Sequence, residues 1–123
     1  MKPNPVGWFE IYVHDMPRAR RFYEQVFQVT LNLLSADGLE MYAFDMSDAA
    51  FGASGALVRF DGMPPGVGGT LVYFSCEDCA VEGARVEGAG GSIVRPKMSI
   101  GEYGHIVLAQ DTEGNLIGLH SMQ

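Results

Sequence analysis

Along this chain the apolar pattern switches period in the same way at two places. From Gly7 to Val13, Phe9, Ile11 and Val13 alternate with Trp8, Glu10 and Tyr12. That is the period-2 signature of a half-buried strand with one wholly apolar side and one mixed aromatic and acidic side. The period then becomes helical. Asp15 suits an N-cap and Pro17 the first turn, after which Ala19, Phe22, Tyr23 and Val26 recur at i, i+3, i+4 and i+7. Thr70 to Gly90 repeats the arrangement: Val72, Phe74 and Cys76 alternate with Leu71, Tyr73 and Ser75, Asp78 stands where Asp15 stood, and a helix runs on to Gly90-Gly91. Gly83 and Gly88 cost that second helix roughly 1 kcal/mol each against alanine, so packing on a sheet has to hold it.

Strand-like segments separated by turn signals follow each helix. The first half gives Leu31–Leu34, Leu39–Met46 after Asp37-Gly38, and Gly55–Phe60 before Asp61-Gly62; the second gives Ser92–Arg95, His105–Gln110, and Leu116–His120 after Asp111-Thr112-Glu113-Gly114-Asn115. The order is βαβββ twice, an internal repeat and an α+β pattern. The Gly/Pro-rich stretch 63–69 is too short to separate independent domains, and each half alone is small enough to be marginal. The reading is one domain over 1–123, with module one at 1–62, the link at 63–69 and module two at 70–123.

Three stretches resemble the vicinal oxygen chelate superfamily, the glyoxalase, bleomycin-resistance and extradiol-dioxygenase group. They are the opening V-H-D-M-P-R-A-R-R-F-Y-E-Q-V-F, the A-G-G helix end before a strand, and the closing D-T-E-G-N-L-I-G-L, which is similar to that family's D-P-x-G and final strand. The resemblance covers essentially the whole chain. It implies two βαβββ modules forming a half-open curved sheet around a concave site, usually in a homodimer.

Metal-dependent members of that family place a ligand on the first strand of each module and another late in each. Carried onto this sequence, those positions are Trp8, Leu71, Gly118 and, to within about one residue, Ala56. None has a side chain that donates to a divalent ion, which needs imidazole, carboxylate or thiolate. No metal and no other cofactor is expected. The alternative is a relocated divalent-metal site at Glu10, His105 and His120. The bland reading of Glu10 is a carboxylate hydrogen-bonded to its aromatic neighbours.

Strand alternation and the Gly-containing loop Lys97–Gly104 give the candidate ligand-binding residues Trp8, Glu10, Tyr12, Tyr42, Tyr73, Ser75, Tyr103, His105 and His120. Met and aromatic walls suit an adaptable small-molecule pocket. Cys76-Glu77-Asp78-Cys79 is a C-x-x-C at a helix start, where the dipole can lower a thiol pKa. Here the two intervening acids oppose thiolate formation, no second C-x-x-C completes a zinc site, and the expectation is two reduced, core-packed thiols.

Composition narrows the partners. Fifteen acidic against eight basic residues give a formal charge of −7, which argues against nucleic acid and anionic membrane surfaces. No apolar run reaches membrane-span length and no h-region follows Met1, so a cytoplasmic protein is expected. The leading expectation for function is binding of a small apolar or aromatic molecule, cationic given Glu10, without a metal. The alternative is a family enzyme of lyase, isomerase or dioxygenase type, using the relocated metal or Glu10 as a general base.

Overall fold

The computed structural model describes residues 4–36 and 39–123; the Asp37-Gly38 turn signal lies outside them. Among the described residues the order is β1 (Val6–Tyr12), α1 (Met16–Phe27), β2 (Asn32–Ala36), β3 (Leu39–Ala43), β4 (Ser54–Arg59), β5 (Thr70–Ser75), α2 (Cys79–Val86), β6 (Ser92–Ser99), β7 (His105–Gln110) and β8 (Leu116–Ser121). Short 3-10 turns follow α2 and β6. This is the α+β, twice-repeated βαβββ order that the periodicity predicts. Contacts gather into two units, one of residues 8–70 and the other of residues 1–7 with 71–123.

In the unit of residues 8–70 the strands lie in the order β2-β3-β4-β1, with β1 and β4 parallel and the other neighbours antiparallel. Asp15 caps α1 by accepting from the Arg18 N–H at 3.0 Å, and Pro17 occupies the first turn. The helix is closed by Gln28 in the left-handed conformation (φ 54°), a residue type that tolerates it less well than glycine. Met16, Leu31 and Leu57 form the core under the helix, with Ile11, Val13, Ala19, Tyr23, Tyr42 and Phe44 against them. The predicted stripe is corrected on one edge. Met16 is buried, whereas Phe22 and Val26 are 58% and 55% exposed, because the helix meets the sheet through the Met16, Ala19 and Tyr23 ridge. Strand β3 is also shorter than expected. It stops at Ala43, and the chain turns as Ser54 Oγ donates to the Phe44 and Asp45 carbonyls.

The other unit orders its strands β5-β8-β7-β6, with β5 and β8 parallel and the rest antiparallel. Asp78 caps α2 through the Ala80 N–H at 3.0 Å, and Ser121 Oγ accepts from the Cys79 N–H at 2.9 Å. Cys79, Val107 and Leu119 form its core, with Phe74, Cys76, Val86 and Ile93 packed on them. Strand β6 continues to Ser99, past the predicted Arg95, since two register shifts against β7 let it bend and pair again at Met98 and Ser99. The loop expected over 97–104 is therefore the turn 100–104.

Candidate ligand site

In the first unit the side of the sheet away from α1 carries Glu10. The register sets Glu10 beside Ala56 and Tyr12 beside Val58, and continues to Ala43 and Met41 on β3. Since paired residues point to the same face, these side chains share one surface. Ala56, Val58, Ala43, Met41 and Tyr12 are all buried on it, and Glu10 is only 9% exposed. A carboxylate removed from water needs hydrogen bonds, and its i±2 neighbours on the strand supply them. Tyr12 Oη donates to Oε1 at 2.7 Å and Trp8 Nε1 donates to Oε2 at 3.3 Å. Trp8 is half-buried, so its indole extends the carboxylate network toward the more exposed start of β1.

Tyr42 is not on that surface. It pairs with Leu57, which pairs with Ile11, and it packs in the core under α1 with the Arg20 guanidinium 4.1 Å above its ring. The sequence reading offered Tyr42 as a possible site residue without fixing the phase of β3, and the register sets it on the helix side. An open depression of about 410 Å³ lies on the helix side as well, at the start of α1, with Val13, Asp15, Arg18, Tyr23 and Gly66 in its lining. It shares only Tyr12 with the candidate residues and lacks the carboxylate–aromatic network.

In the second unit Tyr73, Ser75, Gly118 and His120 share one face through the pairs Tyr73–Gly118 and Ser75–His120. Leu71 and Tyr73 are buried and Ser75 is exposed. His120 Nε2 lies 2.6 Å from the Tyr103 carbonyl oxygen. That oxygen can only accept, so Nε2 carries the proton. His120 and Tyr103 are thus brought together, with His120 tying down the 100–104 turn.

His105 projects from the opposite face. Its β8 partner is Ser121, whereas His120 pairs with the adjacent residue Ile106, so the two imidazoles diverge. His105 shares its face with Val107 and Leu119, beneath α2. The relocated triad is therefore not assembled. Among the described residues no group of three or more His, Cys, Asp or Glu side chains is placed to hold a metal ion. The four positions at which the resemblance implies metal ligands fit an ion no better. Trp8, Ala56 and Leu71 bear no donor, and a Cβ at Gly118 would collide with the ring of Tyr73. The donor set does not suit a divalent ion.

Cys76 and Cys79 are both free thiols, the second fully buried. Burial, and after it the nearby Glu82 carboxylate and Cys79, push the Cys76 pKa up to about 11. The sequence reading expected the intervening Glu77 and Asp78 to do this. Asp78 is instead occupied by Lys97 Nζ at 2.8 Å and by the Ala80 N–H, which hold its own pKa below the usual carboxylate range.

A family model for the Glyoxalase/Bleomycin resistance protein/Dioxygenase superfamily matches residues 6–119. The chain belongs to that superfamily. Several solved structures share the superfamily fold with it. A hypothetical protein from Bacillus halodurans C-125 is 10% identical, with 99% of this chain and 96% of that chain covered and a TM-score of 0.74. Methylmalonyl-CoA epimerase from Mycobacterium tuberculosis is 16% identical, with 97% and 88% covered and a TM-score of 0.69. A Streptomyces coelicolor methylmalonyl-CoA epimerase, solved in complex with 2-nitronate-propionyl-CoA, is 14% identical, with 95% and 93% covered and a TM-score of 0.68. No curated protein matches the sequence. Among the described residues no helix is long and apolar enough to cross a membrane.

Two residues that shape these superfamily modules escaped the sequence reading. Gly118 entered it only as a missing ligand, although a glycine inside a strand is a signal of close approach by another group. Ser121 gave no signal, because its role as second cap of α2 depends on a contact between residues far apart in sequence.

Proposed function

We propose that this superfamily member binds a small, largely apolar or aromatic molecule that carries positive charge, and does so without a metal. The observation that carries the proposal is Glu10. Its carboxylate sits among buried aliphatic side chains and is aimed by two aromatic donors, Trp8 and Tyr12. A carboxylate in such surroundings favours a cationic partner. The indole and phenol add cation–π contacts of about 0.5–2 kcal/mol. A homodimer is part of the same proposal, and two free thiols fit a reducing compartment such as the cytoplasm.

Trp8 is the chain's single tryptophan and touches Glu10, so its fluorescence reports on the site. Titration with benzyltrimethylammonium is expected to give a saturable change, and neutral tert-butylbenzene a much weaker one. Equal responses, or none, overturn the proposal.

The methylmalonyl-CoA epimerases among the structural neighbours support a second reading, an isomerase in which Glu10 removes a proton from one face of a carbon and water supplies a proton to the other. Incubation with methylmalonyl-CoA in D2O tests it. Deuterium at the carbon between the two carbonyl groups, absent with Glu10→Gln, favours the enzyme over the binder.

A further inference from the structure

The oxygens of Glu10 are already in use before any ligand arrives. Alternation along β1 sets Trp8 and Tyr12 on its face, two residues to either side, and each is an aromatic carrying a polar hydrogen. Tyr12 Oη donates to Oε1 at 2.7 Å, and Trp8 Nε1 donates to Oε2 at 3.3 Å. Both carboxylate oxygens therefore accept a hydrogen bond from the chain itself. The two bonds orient the group and use up acceptor capacity, yet neither neutral donor cancels its charge.

The surrounding surface does little to replace that capacity. Register places Ala56 and Val58 beside Glu10 and Tyr12, with Ala43 and Met41 next to them on β3, and all four are buried. Of these side chains only Met41 has an acceptor, a weak thioether sulfur. The carbonyls of paired strands lie in the plane of the sheet, where they serve the ladder. Trp8 Nε1–H can only donate. Tyr12 is 7% exposed and Glu10 9%, so the carboxylate acts on a ligand through its field more than through new hydrogen bonds.

Cations differ in what they ask of such a surface. A primary ammonium brings three N–H donors and a guanidinium five. Each donor taken out of water needs an acceptor, and one left unsatisfied costs about tenfold or more in affinity. A quaternary ammonium has no N–H. Its charge is spread over N-methyl groups, which can meet the aliphatic wall and the face of the indole while feeling the Glu10 charge.

We infer that the Trp8 and Tyr12 hydrogen bonds to Glu10 make this a site for quaternary, N-methylated ammonium groups and discriminate against primary ammonium and guanidinium groups. This rests on the binding function proposed above and names the head group of its ligand. Glu10 attracts any cation; the donors on either side of it select among them.

Calorimetric titration with benzyltrimethylammonium, benzylammonium and benzylguanidinium at neutral pH tests the selectivity. The wild type should bind the first at least about tenfold more tightly than either of the others. Tyr12→Phe and Trp8→Phe each keep an aromatic ring and return a lone pair to one Glu10 oxygen. In each variant the preference should shrink about threefold or more, whatever happens to the absolute affinities. If Tyr12→Phe loses the native circular dichroism, Trp8→Phe carries the test with the same expectation. A wild type that binds none of the three cations overturns the proposed binding function, and the selectivity with it. Binding of benzylammonium or benzylguanidinium as tight as that of benzyltrimethylammonium overturns the selectivity alone. So does a preference that both variants leave unchanged, because the weaker hydration of the quaternary ion, and not the chain's own hydrogen bonds, would then set the order.

Discussion

The ring of Tyr73 lies over Gly118, its partner across the parallel β5–β8 pair, in the space that any side chain at 118 would need. The position from which other family members are expected to supply a ligand is thus filled from the neighbouring strand. Gly118→Ala should destabilise the fold by about 1–3 kcal/mol, the range for overpacking a filled site. Tyr73→Leu should relieve part of that cost, giving a favourable coupling energy in a double-mutant cycle. Gly118→Glu should not create a zinc site, because Trp8, Ala56 and Leu71 still offer no donor. Urea denaturation of the four proteins of the cycle measures the coupling, and calorimetric titration of Gly118→Glu with Zn²⁺ checks for metal. Strict additivity would show that the contact is not made.

Cys76 should be inert near neutral pH. Its thiol is held to about 11 from an ordinary 9.0, by burial first and then by Glu82. The folded value lies above the unfolded one, so the fold favours the neutral thiol. The resulting stability is fully present below pH 9 and is lost as pH rises through 11. Iodoacetamide labelling of native protein at pH 7 should be slow at both cysteines, and Glu82→Gln should shift the onset of Cys76 labelling to lower pH. Rapid neutral alkylation of Cys76 would contradict this.

Asp78 makes α2 sensitive to acid. Lys97, and after it the Ala80 N–H, hold its carboxyl below the usual range. Its folded pKa lies under the unfolded one, so its contribution is present above the ordinary carboxylate range and fades as pH falls through the folded value. Asp78→Asn retains a good cap but loses the ion pair. Between pH 6 and pH 2 its melting temperature should fall less than that of the wild type. Parallel losses in the two proteins would remove Asp78 from the account.

Much of the fold was legible because it is written in local pattern. The switch from period 2 to period 3.6 at Asp15 and Asp78 located both caps, and β7 has the predicted limits. The errors fall where pairing decides. Helical spacing placed Phe22 and Val26 in the core, but the angle at which α1 meets the sheet leaves them exposed. The candidate residues divide in the same way. Trp8, Glu10 and Tyr12 follow one another along a single strand, and alternation alone joins them. Tyr42 and His105 needed a phase relative to neighbouring strands, and the register set both on the helix side. The extension of β6 past Pro96 depends on two register shifts that no local signal announces.

The central claim is that Glu10 acts as a charge complement in a site without metal, and one substitution isolates that charge. Glu10→Gln keeps the shape and an accepting oxygen for the Trp8 N–H, while its new amide N–H can donate to the Tyr12 hydroxyl, which accepts as well as donates, and the negative charge is removed. Calorimetric titration of both proteins with benzyltrimethylammonium, after dialysis against a chelator, is the most direct measurement. The account predicts binding by the wild type in the absence of metal, at least tenfold weaker binding by Glu10→Gln, and matching thermal melts. Equal affinities, or wild-type binding that requires an added divalent ion, would contradict it.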